Sequence, residues 1–87
     1  MAKLPDKVPS EFLRLGSLKK GDRAQITEVE DSPNCIRLLE MGLLEGTQVE
    51  IVHEAPFGGD PIAVRVRDTL IALRRNEANQ IRVKRHE

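Results

Sequence analysis

Apolar and polar residues alternate along most of this chain, and shifts in the phase of that alternation mark out short strands. In Arg23-Ala24-Gln25-Ile26-Thr27, Ala24 and Ile26 share one side, which predicts a strand turning those two towards a core. Val29 falls on the other parity, so a bulge or bend is expected near Thr27 and Glu28. Alternation returns over residues 47–53 through Val49 and Ile51. Ile62, Val64 and Val66 then form one face of a third strand, Ile71 and Leu73 one face of a fourth, and Ile81 and Val83 one face of a last. Leu18-Lys19-Lys20-Gly21-Asp22 feeds the first strand as a turn. Asp68 and Thr69 turn the third strand into the fourth.

Between the first two strands the period changes. Ser32-Pro33 predicts a helix start, serine as N-cap and proline at the first helical position. The helix is expected over residues 33–41, too short to be stable without packing. Gly42 sits where a helix end wants a left-handed residue, and Gly46 permits a tight turn before the second strand. Ala55-Pro56-Phe57-Gly58-Gly59-Asp60-Pro61 reads as a loop, because neither proline can donate to a ladder. Asn76-Glu77-Ala78 predicts one helical turn capped by Asn76. Residues 1–14, with Pro5 and Pro9, are expected to be a flexible leader to a single domain over residues 15–87.

Five short strands with one helix between the first two predict a mainly β fold, a small SH3-like five-stranded barrel whose closure would hide most sheet edges. An OB-like barrel has the same strand count, but would carry its helix between the third and fourth strands. The helix leaves a choice open. Ile36, Leu39 and Leu43 can supply its core-facing stripe, yet Leu38 lies about 100° round the axis from Leu39. Either Leu38 stays partly exposed, like Leu70 in the fourth strand, or it tucks under Phe12, Leu13 and Leu15.

Composition narrows the function. In 87 residues the 14 Lys and Arg balance the 14 Asp and Glu. Residues 1–60 carry a net excess of acid and residues 61–87 an equal excess of base, a dipole able to orient a partner protein. The longest apolar run, Leu70-Ile71-Ala72-Leu73, is far too short to span a bilayer. Met1-Ala2-Lys3-Leu4-Pro5-Asp6-Lys7 has no secretory character, and Cys35 is the lone cysteine, so the chain is expected to be cytosolic. Candidate metal ligands are scattered: Cys35 on the helix, His53 ending the second strand and His86 near the C-terminus. With no Cys-x-x-Cys and no His pair at helical spacing, no metal site and no cofactor is expected, and any metal-ion binding should be weak. No nucleophile elbow, Cys–His arrangement or Walker lysine is present, which argues against an enzyme.

Four motifs in order resemble one bacterial family, the FeoA proteins (ferrous iron transport protein A). They are Leu15-Gly16-Ser17-Leu18-Lys19-Lys20-Gly21-Asp22, then Leu38-Leu39-Glu40-Met41-Gly42-Leu43-Leu44-Glu45-Gly46. The loop Ala55-Pro56-Phe57-Gly58-Gly59-Asp60-Pro61-Ile62 follows. Last come Arg65-Val66-Arg67 and Leu73-Arg74-Arg75-Asn76-Glu77-Ala78. Lys20 and Glu45 stand where the family often has proline, and Leu70 where a polar residue is expected. The resemblance implies a non-enzymatic accessory protein docking on FeoB, the membrane GTPase and ferrous iron transporter, as a monomer or weak oligomer. Leu38, Cys35, Leu70, Arg65, Arg67 and Arg74 are then the expected partner-binding residues.

Two other readings use the same residues. Lys20-Gly21-Asp22-Arg23-Ala24-Gln25-Ile26 loosely resembles the start of a KOW motif, and Arg65, Arg67, Arg74, Arg82 and Lys84 would share an outer face for nucleic acid. The glycine pattern completing a KOW loop is absent, and with Phe12 and Phe57 the sole aromatics no ladder can stack bases. The same lack disfavours a groove for proline-rich peptides. No DNA-binding helix pair accompanies the barrel, as a complete metalloregulator would need.

Overall fold

A computed structural model describes residues 13–56 and 58–85 of the chain. A 3-10 turn, Leu15–Ser17, precedes β1 (Arg23–Val29) and α1 (Cys35–Glu40). There follow β2 (Gln48–Glu54), β3 (Ile62–Val66), β4 (Thr69–Leu73), the single turn α2 (Arg75–Ala78) and β5 (Ile81–Arg85). The five strands form one antiparallel sheet in the order β4-β3-β2-β1-β5. It is the expected mainly β, SH3-like barrel with its helix between β1 and β2. The ladder does not close on itself, however, so β4 and β5 are free to be edges.

The inward residues are those the alternation selected. Ala24, Ile26, Val49, Ile51, Ile62, Val64, Val66, Ile71, Leu73, Ile81 and Val83 are all buried, and among the described residues no polar side chain joins them. The register shifts between Ile26 and Glu28 against β5, which is the expected bulge. A second shift, between Ile51 and His53 against β3, had no sequence signal, and it leaves His53 exposed. Each bulge adds local twist, which curls a small sheet around one core.

Four expectations need correcting. Leu13 and Arg14 do not belong to a leader: Leu13 is buried, and Arg14 bridges Arg82 of β5. The rest of the expected leader, with Phe12, lies outside the described residues. The main helix starts at Cys35, with Asn34 as its N-cap, because the Ser32 hydroxyl donates instead to Gln80 Oε1 at 2.6 Å. Asn76 does not cap α2; its N-cap is Arg74, whose N–H is accepted by Glu77 Oε1 at 3.1 Å.

The last correction concerns Leu38, which is fully buried, while Ile36 is 67% exposed and Leu39 40% exposed. The helix end decides this. Gly42, at φ 96°, turns the chain so that Leu43 N–H donates to Leu38 O and Gly42 N–H to Leu39 O. Such a helix end packs its third-last residue against the second residue beyond it, here Leu38 against Leu43, both in the core. A helix of under two turns buries one side only, so Ile36 and Leu39 face outwards.

Candidate binding surface

The register places two expected residues, Arg65 and Leu70, in one row with two others. Arg65 of β3 lies opposite Leu70 of β4 on one side and opposite Glu50 of β2 on the other, and Glu50 lies opposite Arg23 of β1. Arg23, Glu50, Arg65 and Leu70 therefore form one row across the outer face of four strands. Leu70 is 61% exposed beside Arg65, and Arg65 Nη1 lies 3.5 Å from Glu50 Oε1. Cross-strand neighbours on one face are close enough to act together.

Arg67 sits in the two-residue turn from β3 to β4, at φ 57°. Arginine there carries a steric strain that glycine escapes and asparagine tolerates better. Its placement sets a guanidinium at the rim of a shallow groove of about 280 Å³, which Arg23, Gln48, Glu50 and Arg65 also line. A second hollow, bordered by Glu45, Gly46 and Thr47, meets the same Gln48 and Arg67. Arg23, Gln48 and Glu50 were not singled out in the sequence, because only the cross-strand register brings them to Arg65.

Arg74 and Arg75 are neighbours with opposite tasks. Arg75 donates to Gly16 O and Leu18 O at 2.9 and 2.8 Å, to Gly59 O at 2.9 Å and to Glu54 Oε1 at 2.6 Å. One planar guanidinium thereby ties the first turn, β2 and the 58–61 loop together. Gly16 also lets the first turn pack closely on α2, since a Cβ there would stand 2.4 Å from the Arg75 main-chain carbonyl oxygen. Arg74 is exposed at the end of β4, with no carboxylate partner among the described residues.

Cys35 is half-buried, its Sγ 3.9 Å from Asp31 Oδ1. It adjoins the exposed Ile36 and Leu39 on α1 rather than the Leu70 face, so the expected residues divide between two surfaces. Leu38 has no surface to offer a partner. Near the sheet's other edge Arg14 hydrogen-bonds Glu30 and holds its carboxyl below the ordinary glutamate range, with Arg82 adding to the effect. Among the described residues no three His, Cys, Asp or Glu side chains gather in a metal-holding group.

A curled five-stranded sheet with a short helix between its first two strands defines a small SH3-type domain. Residues 13–85 match the family model of the FeoA domain, and the chain belongs to the FeoA family. It is 39% identical over 72 residues to the Fe(2+) transport protein A/Fe(2+) transporter FeoB fusion protein of Porphyromonas gingivalis. That match takes in 82% of this chain but spans 8% of the relative. The solution structure of FeoA from Chlorobium tepidum is 40% identical with a TM-score of 0.75, over 84% of this chain and 70% of that one. A zinc-complexed FeoA of Stenotrophomonas maltophilia, described as a procaryotic SH3 domain protein, is 34% identical with a TM-score of 0.73. That comparison covers 83% of this chain and 89% of the other.

Proposed function

We propose that this chain is a non-enzymatic cytosolic accessory protein of bacterial ferrous iron uptake, which docks on a FeoB-type transporter and modulates it. The observation that carries the reading is the Porphyromonas gingivalis relative, in which an Fe(2+) transport protein A segment and a FeoB transporter share one polypeptide. Fusion holds two modules at a high effective concentration, which favours pairs that work in contact. The Stenotrophomonas maltophilia protein, for which a role as a ferrous iron transport activating factor has been suggested, points the same way. No helix among the described residues is long and apolar enough to cross a membrane.

The exposed residues suit protein rather than nucleic acid. Three of the outer cations are interleaved with carboxylates: Arg65 with Glu50, Arg82 with Glu28 and Glu30, and Arg85 with Asp22. A phosphate backbone needs an unbroken basic track, whereas an apolar anchor within a mixed rim fits a protein partner. Leu70 with Arg65, Arg67 and Arg74 supplies one such anchor, and Ile36 and Leu39 beside Cys35 a second. Co-purification of the full chain with a FeoB protein in detergent, in each nucleotide state, is the test. Retention in at least one state is expected; absence from all of them contradicts the reading.

A further inference from the structure

The two edges of the sheet are finished differently. At β5 the outward-facing N–H of Val83 donates to Leu13 O at 3.1 Å, and Arg14 bridges Arg82, so residues 13 and 14 cover that edge. At β4 the geometry is open. Ile51 N–H donates to Asp22 O at 2.9 Å and Ile51 O accepts from Gly21 N–H at 2.8 Å, so the Ile51 backbone faces β1. Alternation then turns Glu50 and its partner Arg65 towards each other, and Val64 and Val66 towards β4. Thr69, Ile71 and Leu73 consequently bond β3, while the N–H and C=O groups of Leu70 and Ala72 point off the sheet. No backbone group among the described residues takes them.

An edge of this kind is a template for another strand, and proteins usually blunt it with charge, proline or a bulge. Thr69-Leu70-Ile71-Ala72-Leu73 has none of these: it is uncharged, and its register with β3 is unbroken. We infer that β4 is a strand-addition site, taking an extended segment of the docking partner that is apolar at its centre and carries carboxylates near both ends. The inference rests on the docking reading and specifies how that docking is made.

The occupant follows from charge. Arg67 and Arg74 stand at the two ends of β4, seven residues and roughly 23 Å apart in extended chain, each without a carboxylate partner among the described residues. Arg65 lies beside Leu70. The nearby Glu50, Glu54 and Glu77 are already held by Arg65, Arg75 and Arg37, and Asp68 is the one acid in the adjoining turn. The border is net basic, so an incoming strand gains most from acids at its ends. A second copy of β4 would bring Arg67 and Arg74 again, adding base to base. Main-chain bonds to Leu70 and Ala72 would supply affinity, and the flanking charges register.

The test measures affinity of the full chain for a FeoB protein in detergent, together with hydrogen exchange of this chain in the complex. Ala72→Pro removes an outward N–H that β3 does not use, and should weaken binding at least tenfold. The Arg67→Glu/Arg74→Glu double variant, which leaves the strand backbone intact, should do the same. In the wild-type complex the Leu70 and Ala72 amides should become protected. If wild type binds but those amides stay unprotected and both variants bind as tightly, strand addition is wrong while docking stands. If wild type does not bind at all, the docking reading falls and takes this inference with it. Protection of both amides in the isolated chain that rises with its concentration would identify a second copy as the occupant, and overturn the proposal.

Discussion

Strands β5 and β4 are both edges of one sheet, equally short, and the chain treats them in opposite ways. Strand β5 carries Arg82, Lys84 and Arg85, is set against a bulge in β1 and is overlaid by Leu13 and Arg14. Arg14, Glu30 and Arg82 then close a charged cluster beside it. Strand β4 has no charge within it, no bulge opposite and an exposed leucine on its outer face. Small domains have little stability to spare, so an edge sealed by main chain, core leucine and ion pairs is part of the structure's own support. An edge left open beside arginines with no carboxylate partner among the described residues is where the molecule has kept surface for something else.

The comparison predicts its largest contrast in stability. Leu13→Ala removes a buried side chain from the sealed edge and should cost about 2–5 kcal/mol. Leu70→Ala at the open edge should fall within about 0.5 kcal/mol of wild type. Urea unfolding of the two variants checks this, and equal losses would mean that the edges do not differ as described.

A smaller contrast lies between adjacent arginines. Arg75→Gln leaves carbonyls of the first turn and of the 58–61 loop without their shared donor, and should cost about 1.5–3 kcal/mol, the range for hydrogen bonds to charged groups. Arg74→Gln should be neutral for folding, within about 0.5 kcal/mol, and affect only binding. Thermal melts of both give the answer; a destabilised Arg74 variant would place that side chain in the support rather than on the surface.

These contrasts also mark what the sequence could reveal. Strand parity, the Gly42 turn and the bulge near Thr27 depend on neighbours in sequence, and all three were legible. The inward side of α1 was legible in principle, because a left-handed Gly42 implies that Leu38 packs on Leu43. Counting periodicity alone chose Ile36 and Leu39. Ser32 bonding Gln80, Arg75 reaching Gly16 and Leu13 sealing β5 join residues 48 to 70 positions apart, and no local pattern announces them. At the candidate surface Leu70 stood out as an apolar residue where the family resemblance leads one to expect a polar one. Arg23 and Glu50 did not, since their role depends on register across three strands.

The smallest predicted effect is electrostatic. Glu30 has its carboxyl lowered by Arg14 and Arg82, so its ionised form is favoured in the folded chain. Its contribution is present above the ordinary glutamate value of 4.5 and is lost as pH falls through the lower, folded value. Acid should therefore loosen the β5 edge, and Glu30→Gln should flatten that part of the stability profile. An unchanged acid profile in the variant would remove Glu30 from the account.

Hydrogen exchange of the isolated chain, resolved by residue in NMR, tests the difference between the edges most directly. The Val83 amide, bonded to Leu13 O, should exchange slowly, near the rate of the core strands. The Leu70 and Ala72 amides should exchange at close to the rate of unstructured chain, flanked by slow Thr69, Ile71 and Leu73. Slow exchange at Leu70 and Ala72 in a dilute monomer would mean that the chain already covers β4 itself, and the open edge would not exist.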